Sequence, residues 1–369
     1  MRFINKYLRN LSPYKVASHK VWEVNSSERS KILKLDWNEA TIPPSPKVKE
    51  RILQVIQDDS IYPLYPSTHN PEIITLLADY LKVEKSNVQY FASSDSAHEY
   101  LVRVYVAPGD PVLVLGPTYD NFRLSCQTQG AQVYFQEYED GFYWNRERFE
   151  QRIEEVNPSL IYICNPNNPS GTMVPAEDLN LMLSKYPDIV FLVDEAYAEF
   201  SGVSIVSEVN NYNNLVVSRT FSKAFAMANF RAGYLVSCEE NIMQISKIRN
   251  PKNVTTVTQE AVIGALMDIP YMNDYVKEVR LARAQFTEAI QKLVFVTRVY
   301  ESEGNFVLVE FSSPEIKNKV CEYLAENQIF VRNLTHSKML DCTLRITIGT
   351  RIQMQHVMNI LEIYAKSVA

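Results

Sequence analysis

Short apolar runs alternate with segments of helical character along the first 260 residues of the chain. Val112–Leu115, Leu160–Cys164 and Ile189–Val193 are uninterrupted apolar runs, which is typical of strands that are buried on both faces of a sheet. Between them, Asp120–Gln129 and Glu177–Lys185 have the length and composition of helices. This alternation predicts an α/β fold in which helices cover both faces of a mostly parallel sheet.

The pattern changes after about residue 260. A long helical segment runs from Tyr271 towards Leu293, and strand-like runs follow at Phe306–Phe311 and Leu344–Ile348. A chain of 369 residues is also longer than one hydrophobic core usually serves. We therefore predict three parts: an N-terminal segment, 1–45, that packs with the small domain; a large domain, 46–260; and a smaller α+β domain, 261–369.

Composition and charge narrow the class of protein. Hydrophobic residues make up 46% of the chain and charged residues 22%, as in ordinary globular proteins, and the net charge of -6 argues against nucleic-acid binding. The five cysteines form no CxxC pair, so we expect reduced thiols and no metal site. Neither a signal peptide nor a run long enough to span a membrane is evident. These features predict a cytoplasmic protein.

Polar clusters follow several of the predicted strands. Asn165 comes after one strand, Asp194 after another, and the segment from Arg219 to Lys223 after a third. In open α/β sheets, ligands bind at the carboxyl ends of the strands. The sequence therefore predicts a functional site at this edge of the sheet.

Lys223 lies in the segment TFSKAFAMANFRAGY, residues 220–234. Pyridoxal 5'-phosphate (PLP) needs a lysine amine to react with its aldehyde, and its phosphate needs donors and positive charge. Ser222 and Arg231 would supply a hydroxyl and a guanidinium beside Lys223. A lone lysine in a loop is more often a surface residue, so this interpretation depends on the neighbouring motifs.

Two further segments carry groups that suit the ring of PLP. Asp194, in DEAYAEF, would pair with the ring nitrogen and keep it protonated, and Tyr197 would bond the phenolic oxygen. Asn168, in CNPNNPSGT, offers an amide to the same oxygen. A helix cap explains Asp194 about as well, and ordinary turn chemistry explains Asn168.

Three more segments suit the phosphate, the ring face and the substrate. Ser94 and Asp95 would lie in the first turn of a helix, where free N–H groups bind phosphate, although a plain helix cap is an alternative. Tyr119 would stack on a flat cofactor or be buried at a turn. Arg345 interrupts an apolar run and would bind the carboxylate of an amino-acid substrate, or pair with Asp341.

In this order and spacing, the segments resemble the fold-type I PLP-dependent aminotransferases, and within them the histidinol-phosphate aminotransferase family. The resemblance covers nearly the whole chain, and the motifs together are highly specific although each alone is weak. It implies the PLP-dependent transferase fold, with a seven-stranded sheet in the large domain. The motifs are NLSPYKVA, KLDWNEATIPPSPKV, YPLYP, APGDPVLVLGPTY, NPNNPSGT, DEAY, SKAF and RITIGT.

The resemblance implies a role for each matching cofactor residue. Lys223 would hold PLP as a Schiff base and carry the proton between the substrate and the cofactor. Asp194 would pair with the ring nitrogen, while Tyr197 and Asn168 hold the ring oxygen. The other cofactor contacts that it implies are Ser94, Asp95, Ser222 and Arg231 around the phosphate and Tyr119 on the ring.

The resemblance also implies substrate and subunit contacts. Arg345 would bind the substrate α-carboxylate, Arg332 would contact the distal acidic group, and Asn168 would lie beside the substrate. The family forms homodimers with the active sites at the interface. Tyr65 would reach the phosphate of the neighbouring subunit's cofactor.

The chain departs from the family pattern at several positions. The family often reads NENPYG where this chain has NEATIP at 38–43, so the aromatic residue that helps bind a substrate phosphate is absent. This counts against histidinol phosphate itself. Ser93, Ala226 and Asn229 stand where glycines are usual, and we expect Asn229 to tolerate a left-handed backbone.

We therefore predict a biosynthetic aminotransferase. It would move an amino group between histidinol phosphate, or a related polar or acidic donor, and a 2-oxo acid such as 2-oxoglutarate. A decarboxylase of the threonine-phosphate type shares the fold and most motifs, and a non-catalytic PLP-fold protein is a third hypothesis. We also expect burial and Arg231 to lower the pKa of Lys223, because an ordinary lysine is a poor nucleophile at neutral pH.

Overall fold

The computed structural model describes residues 4–9, 11, 20–335 and 337–368. Apart from Leu11, the NLSPYKVA motif at 10–17 lies outside the described residues. In the described part of the chain the strands are β1 Leu33–Leu35, β2 Val88–Phe91, β3 Pro111–Gly116, β4 Gln132–Glu137, β5 Leu160–Cys164, β6 Val190–Asp194, β7 Leu215–Thr220, β8 Gly233–Ser237, β9 Val296–Val299, β10 Phe306–Phe311, β11 Ile329–Asn333 and β12 Thr343–Thr347.

Helices connect and cover these strands. Most begin at a side-chain cap or at a proline in the first turn, as Pro46, Pro71 and Pro314 illustrate. The helices are α1 Lys20–Glu23, α2 Ser26–Arg29, α3 Pro46–Ile56, α4 Pro71–Leu81, α5 Ser94–Tyr105, α6 Asn121–Gln129, α7 Arg146–Val156, α8 Ala176–Lys185, α9 Ala198–Ser201, α10 Glu239–Ser246, α11 Thr256–Leu266, α12 Ile269–Ile290, α13 Pro314–Glu326 and α14 Arg351–Val368.

The larger sheet has seven strands in the order β2-β8-β7-β6-β5-β3-β4. Only β8 runs antiparallel to its neighbours, β2 and β7, so the other six strands point the same way. Every residue of β5 and β7 is buried; β5 is apolar throughout, whereas β7 is apolar over Leu215–Val217 and carries polar residues at its carboxyl end. The predicted α/β fold with a mostly parallel seven-stranded sheet is confirmed.

The smaller sheet has five strands in the order β1-β11-β12-β10-β9. Its first strand comes from the N-terminal segment and pairs in parallel with β11, with Leu33 opposite Ile329. Sequence reasoning assigned no strand to the first 45 residues, because three strand residues are too few to give a periodic signal. This pairing joins the N-terminal segment to the smaller domain.

The boundary that we predicted at residue 260 would fall inside α11. That helix packs along α3 and α4 of the large domain, whereas α12 packs against α9, α14 and the smaller sheet. We therefore propose that the large domain extends to the end of α11 and that the boundaries otherwise stand as predicted. Within the described ranges, none of the helices is long and apolar enough to cross a membrane.

The carboxyl ends of β3, β5, β6 and β7 lie side by side in the larger sheet. They deliver the segments that follow Gly116, Cys164, Asp194 and Thr220 to one edge. The polar clusters that the sequence singled out therefore share that edge, as expected for a parallel sheet.

Candidate active site

Lys223 lies three residues beyond the end of β7 and faces the N-terminal segment. Its Nζ donates a hydrogen bond of 2.9 Å to the backbone oxygen of Trp37 and lies 5.7 Å from the centre of the Tyr197 ring. The pKa of Lys223 is lowered to about 8, first by burial and then by the Arg345 guanidinium, which has the largest effect among the nearby charges. The lowered pKa agrees with our expectation, but we had named Arg231 as the responsible cation.

Tyr197 and Asn168 connect the large domain to Arg345. The Tyr197 hydroxyl accepts a hydrogen bond of 3.2 Å from the Asn168 amide and another of 3.1 Å from the Asn38 amide. The Asn168 oxygen accepts from Arg345 Nη1, and Arg345 Nη2 donates to the backbone oxygen of Asp36. The buried guanidinium is therefore held at the site by an amide and a carbonyl.

Asp194 ends β6 as a buried carboxylate with three described donors. Its Oδ2 accepts from the Tyr162 hydroxyl at 2.8 Å, and its Oδ1 accepts from the Ser218 hydroxyl at 3.1 Å and the Ala196 amide at 3.2 Å. A carboxylate offers about four acceptor positions, so these three donors leave it able to accept a further hydrogen bond. The bond to Ala196 is the cap-like contact that we considered as the alternative for Asp194.

Tyr119 lies close to this cluster. The pKa of Tyr162 is raised well above its usual value, first by burial, then by Asp194, and Tyr119 adds to the effect. Tyr162 also stacks on Phe122, with ring centres 4.2 Å apart. The segment after β3 therefore contributes aromatic rings to the same edge of the sheet.

The first turn of α5 meets Arg231 at the end of β2. Arg231 Nη2 lies 3.4 Å from Asp95 Oδ2, and Asp95 Oδ1 accepts from Asn121 at 3.1 Å. The Asp95 carboxylate is thus occupied by a cation and an amide, which leaves backbone N–H groups of the turn to serve an anion. Ser222 bonds Thr220 at 3.0 Å at the end of β7.

Backbone conformation explains why glycines are usual in two of these loops. Ser93 has a φ of 99°, and Ala226 and Arg231 have φ values of 59° and 51°. Asn229 does not adopt the left-handed region that we expected it to tolerate, whereas Ala226 does. Ser93 still caps α5, since its hydroxyl accepts from the Ser96 amide at 3.1 Å.

Arg332 and Arg345 are direct partners in the antiparallel pairing of β11 with β12. Opposite residues of an antiparallel pair project to the same face of the sheet. Arg332 therefore lies on the side of the small sheet from which Arg345 reaches Asn168. Tyr65 is placed differently: it is 78% exposed, and Lys252 Nζ lies 4.5 Å from its ring centre.

Several residues of this region were missed by sequence reasoning. Asp36, Trp37 and Asn38 form a short strap that contacts Arg345, Lys223 and Tyr197 in turn, and the KLDWN motif was the available signal. Nothing in the sequence pointed to Tyr162 or to Ser218 as partners of Asp194, because both lie inside strands and outside the motifs that carry the cofactor chemistry.

Comparison with known proteins agrees with this arrangement. The family model described as "Aminotransferase class I and II" matches residues 30–361. The chain belongs to this family. A dihydroxyacetone phosphate transaminase from Campylobacter jejuni is 39% identical, over 98% of this chain and 97% of its own length. A histidinol-phosphate aminotransferase from Ruminiclostridium cellulolyticum is 30% identical over the same shares.

Solved structures share the fold. A histidinol-phosphate aminotransferase from Sinorhizobium meliloti, in complex with PLP, superposes with a TM-score of 0.86 and covers 100% of this chain and 99% of its own, at 23% identity. Our chain is accordingly a PLP-dependent aminotransferase. Its donor set suits that cofactor, because a lysine with a lowered pKa, a buried carboxylate and a helix N-terminus meet at one edge.

The first turn of α5 lies directly against β8 because residue 233 is glycine. A Cβ at Gly233 would clash with the Ser94 amide nitrogen and would lie 2.7 Å from the Ser93 carbonyl carbon and 2.9 Å from the Arg219 oxygen. We expect Gly233→Ala to displace this turn, lowering PLP affinity about tenfold and stability by about 1–3 kcal/mol. PLP titration and thermal unfolding would measure both effects.

Gly349→Ala is the matched control, because its Cβ would meet mainly the flexible end of the Gln353 side chain. It should bind PLP like the wild type. Normal PLP affinity in the Gly233 variant would show that the position of this turn is unimportant for the cofactor.

Proposed function

We propose that this aminotransferase moves an amino group between glutamate, or its 2-oxo acid 2-oxoglutarate, and a small phosphate ester of the dihydroxyacetone phosphate type. The two relatives are named for dihydroxyacetone phosphate and for histidinol phosphate. In both compounds the carbon that carries the oxygen or the amine is one CH2 away from a phosphate ester. A site that binds this shared unit would serve either substrate.

The pairing of Arg332 with Arg345 carries this proposal. Two guanidinium groups on one face match a carboxylate or a dianionic phosphate, both of which accept paired hydrogen bonds. Arg345 would hold the anionic group nearest the reacting carbon, and Arg332 would add the charge that a phosphate or a distal carboxylate requires. The absence of an aromatic residue at Ala40–Ile42 favours the smaller ketone over histidinol phosphate.

We propose the following cofactor contacts. When bound, PLP supplies an aldehyde that accepts the amino group and a ring that withdraws electrons. Lys223 would bind the aldehyde and would then move the proton at the substrate Cα, for which its lowered pKa suits it. The remaining contacts would be Asp194 with the ring nitrogen, Tyr197 and Asn168 with the ring oxygen, Tyr119 with the ring face, and Ser94, the Asp95 amide, Ser222 and Arg231 with the phosphate.

We also propose a homodimer in which Tyr65 reaches the neighbouring active site. Tyr62, Leu64 and Tyr65 are each more than 60% exposed and lie within four positions of one another. Exposed apolar side chains that cluster in this way are typical of an interaction surface. The loop from 62 to 65 would be covered by the second subunit.

Substrate selectivity tests the proposed function. With glutamate as donor, we expect turnover of dihydroxyacetone phosphate and at least about 100-fold lower kcat/KM for unphosphorylated dihydroxyacetone, because lost hydrogen bonds to a charged group cost about 1.5–3 kcal/mol each. Arg345→Gln should weaken the binding of both glutamate and dihydroxyacetone phosphate and leave PLP bound. A coupled assay for 2-oxoglutarate and the absorbance of bound PLP would measure this.

Equal activity on both ketones would contradict the phosphate proposal. Release of carbon dioxide from threonine phosphate, without any requirement for a 2-oxo acid, would instead support the decarboxylase hypothesis.

The pKa of Lys223 predicts how PLP attachment depends on pH. Only the neutral amine attacks an aldehyde, so the rate at which added PLP attaches to cofactor-free protein should rise with pH around a midpoint near 8. Rapid-mixing absorbance would follow it. Because Arg345 lowers this pKa, Arg345→Gln should move the midpoint to higher pH. Free PLP titrates identically in both experiments, so the difference between the two midpoints reports on Lys223 alone. A wild-type midpoint near 10.5 would contradict the assignment.

Light scattering tests the proposed dimer. The wild type should have the mass of two chains, and Leu64→Asp should shift it towards one chain because a buried charge opposes association. Val294→Asp, at an equally exposed apolar position, is the control and should leave the mass unchanged. A single-chain mass for the wild type would overturn this part of the proposal.

A further inference from the structure

A chain of hydrogen bonds runs from His98 through Ser218 to the Asp194 carboxylate. His98 Nε2 lies 2.8 Å from the Ser218 hydroxyl, and that hydroxyl lies 3.1 Å from Asp194 Oδ1. His98 is 2% exposed and Ser218 is fully buried. A buried polar pair inside an apolar core is costly unless its hydrogen bonds are made, and here they end on the carboxylate.

The direction of the hydrogen bonds follows from Asp194. An ionised carboxylate only accepts, so Ser218 donates its proton to Asp194. The Ser218 oxygen then accepts from His98, which fixes the proton of the imidazole on Nε2. Each donor in the chain polarises the next, so His98 strengthens the bond that Ser218 makes to the carboxylate.

His98 is also held in place by aromatic rings. Its ring makes edge contacts with Phe122 at 5.8 Å and with Tyr162 at 5.9 Å between ring centres. Tyr162 is itself a donor to Asp194. His98 therefore contacts one of the donors to Asp194 through a hydrogen bond and another through packing.

The elements involved connect this chain to the rest of the site. His98 lies on α5, one turn beyond Ser94 and Asp95, and Ser218 lies on β7, five residues before Lys223. The same helix that begins at the proposed phosphate contacts thus reaches the carboxylate proposed for the ring nitrogen. An apolar residue at position 98 would pack as well but could not extend the hydrogen bonds.

We propose that His98 is a positioning residue that acts through Ser218 to hold the Asp194 carboxylate oriented towards the cofactor ring. This inference rests on the proposed role of Asp194, although not on the identity of the substrate. It assigns to His98 and Ser218 a function in tuning the cofactor, beyond filling the core between α5 and β7.

A double-mutant cycle tests the proposal. The variants are His98→Leu, Ser218→Ala and their combination, each loaded with PLP that is labelled with ¹⁵N at the ring nitrogen. We expect Ser218→Ala to move the ¹⁵N chemical shift towards the unprotonated value and to slow the glutamate half-reaction by roughly tenfold or more. His98→Leu should act in the same direction but less strongly.

The double variant distinguishes an effect transmitted through the Ser218 hydrogen bonds from an effect of packing around His98. If His98 acts through Ser218, the double variant should match Ser218→Ala alone, because removal of the Ser218 hydroxyl already breaks the hydrogen bonds that link His98 to Asp194. His98→Gln, which retains a donor at this distance, should restore the chemical shift. Additive effects, or an unchanged ¹⁵N shift in Ser218→Ala, would overturn the proposal.

Two controls complete the experiment. Phe122→Leu disturbs the packing around His98 without removing a hydrogen bond, so it should lower thermal stability and leave the ¹⁵N shift in place. Asp194→Asn should shift the ring nitrogen to its unprotonated form. If it does not, the proposed role of Asp194 itself has failed. This outcome is distinguishable from failure of the proposed role of His98 and Ser218.

Discussion

The burial of one negative charge, on Asp194, organises this structure. A carboxylate at the end of the central strand β6 is costly to remove from water unless donors surround it. Those donors come from three places in the chain: the neighbouring strands supply Tyr162 and Ser218, and the following turn supplies the Ala196 amide. The parallel order of the sheet makes this possible, because β5 and β7 flank β6 and end at the same edge.

The positive charges of the site are arranged by the smaller domain. Arg345 extends from β12 to Asn168 of the large domain, and the strap beyond β1 passes between Arg345 and Lys223. Since β1 pairs with β11, any movement of the smaller sheet would carry the strap and Arg345 together. The N-terminal segment is therefore part of the candidate active site through two backbone oxygens and the Asn38 amide.

Sequence reasoning predicted the features that depend on local pattern. The bounds of β5 and β10 were predicted to the residue, since β5 is a continuous apolar run, β10 is apolar except at Glu310, and both are buried throughout or nearly so. It missed β8, which follows an irregular loop and reverses direction in an otherwise parallel sheet, and it missed β1, which is too short to show alternation. β1 pairs with the distant β11, and β8 lies between β7 and the distant β2, and a local pattern carries no information about such distant partners.

The residues of the candidate site also divide into those that a local motif reveals and those that only the folded structure reveals. Lys223, Asp194, Tyr197 and Asn168 were found because their residue types and order suit one chemistry, whereas His98 and Ser218 matter only through contacts made after folding. The electrostatic link between Arg345 and Lys223 is also of this kind, because they meet only across the two domains. An anionic substrate bound at Arg345, as proposed, would offset the charge that helps to lower the pKa of Lys223. The lysine would then be a better nucleophile before the substrate arrives and a stronger base once it is bound, which is the order in which an aminotransferase needs these two properties.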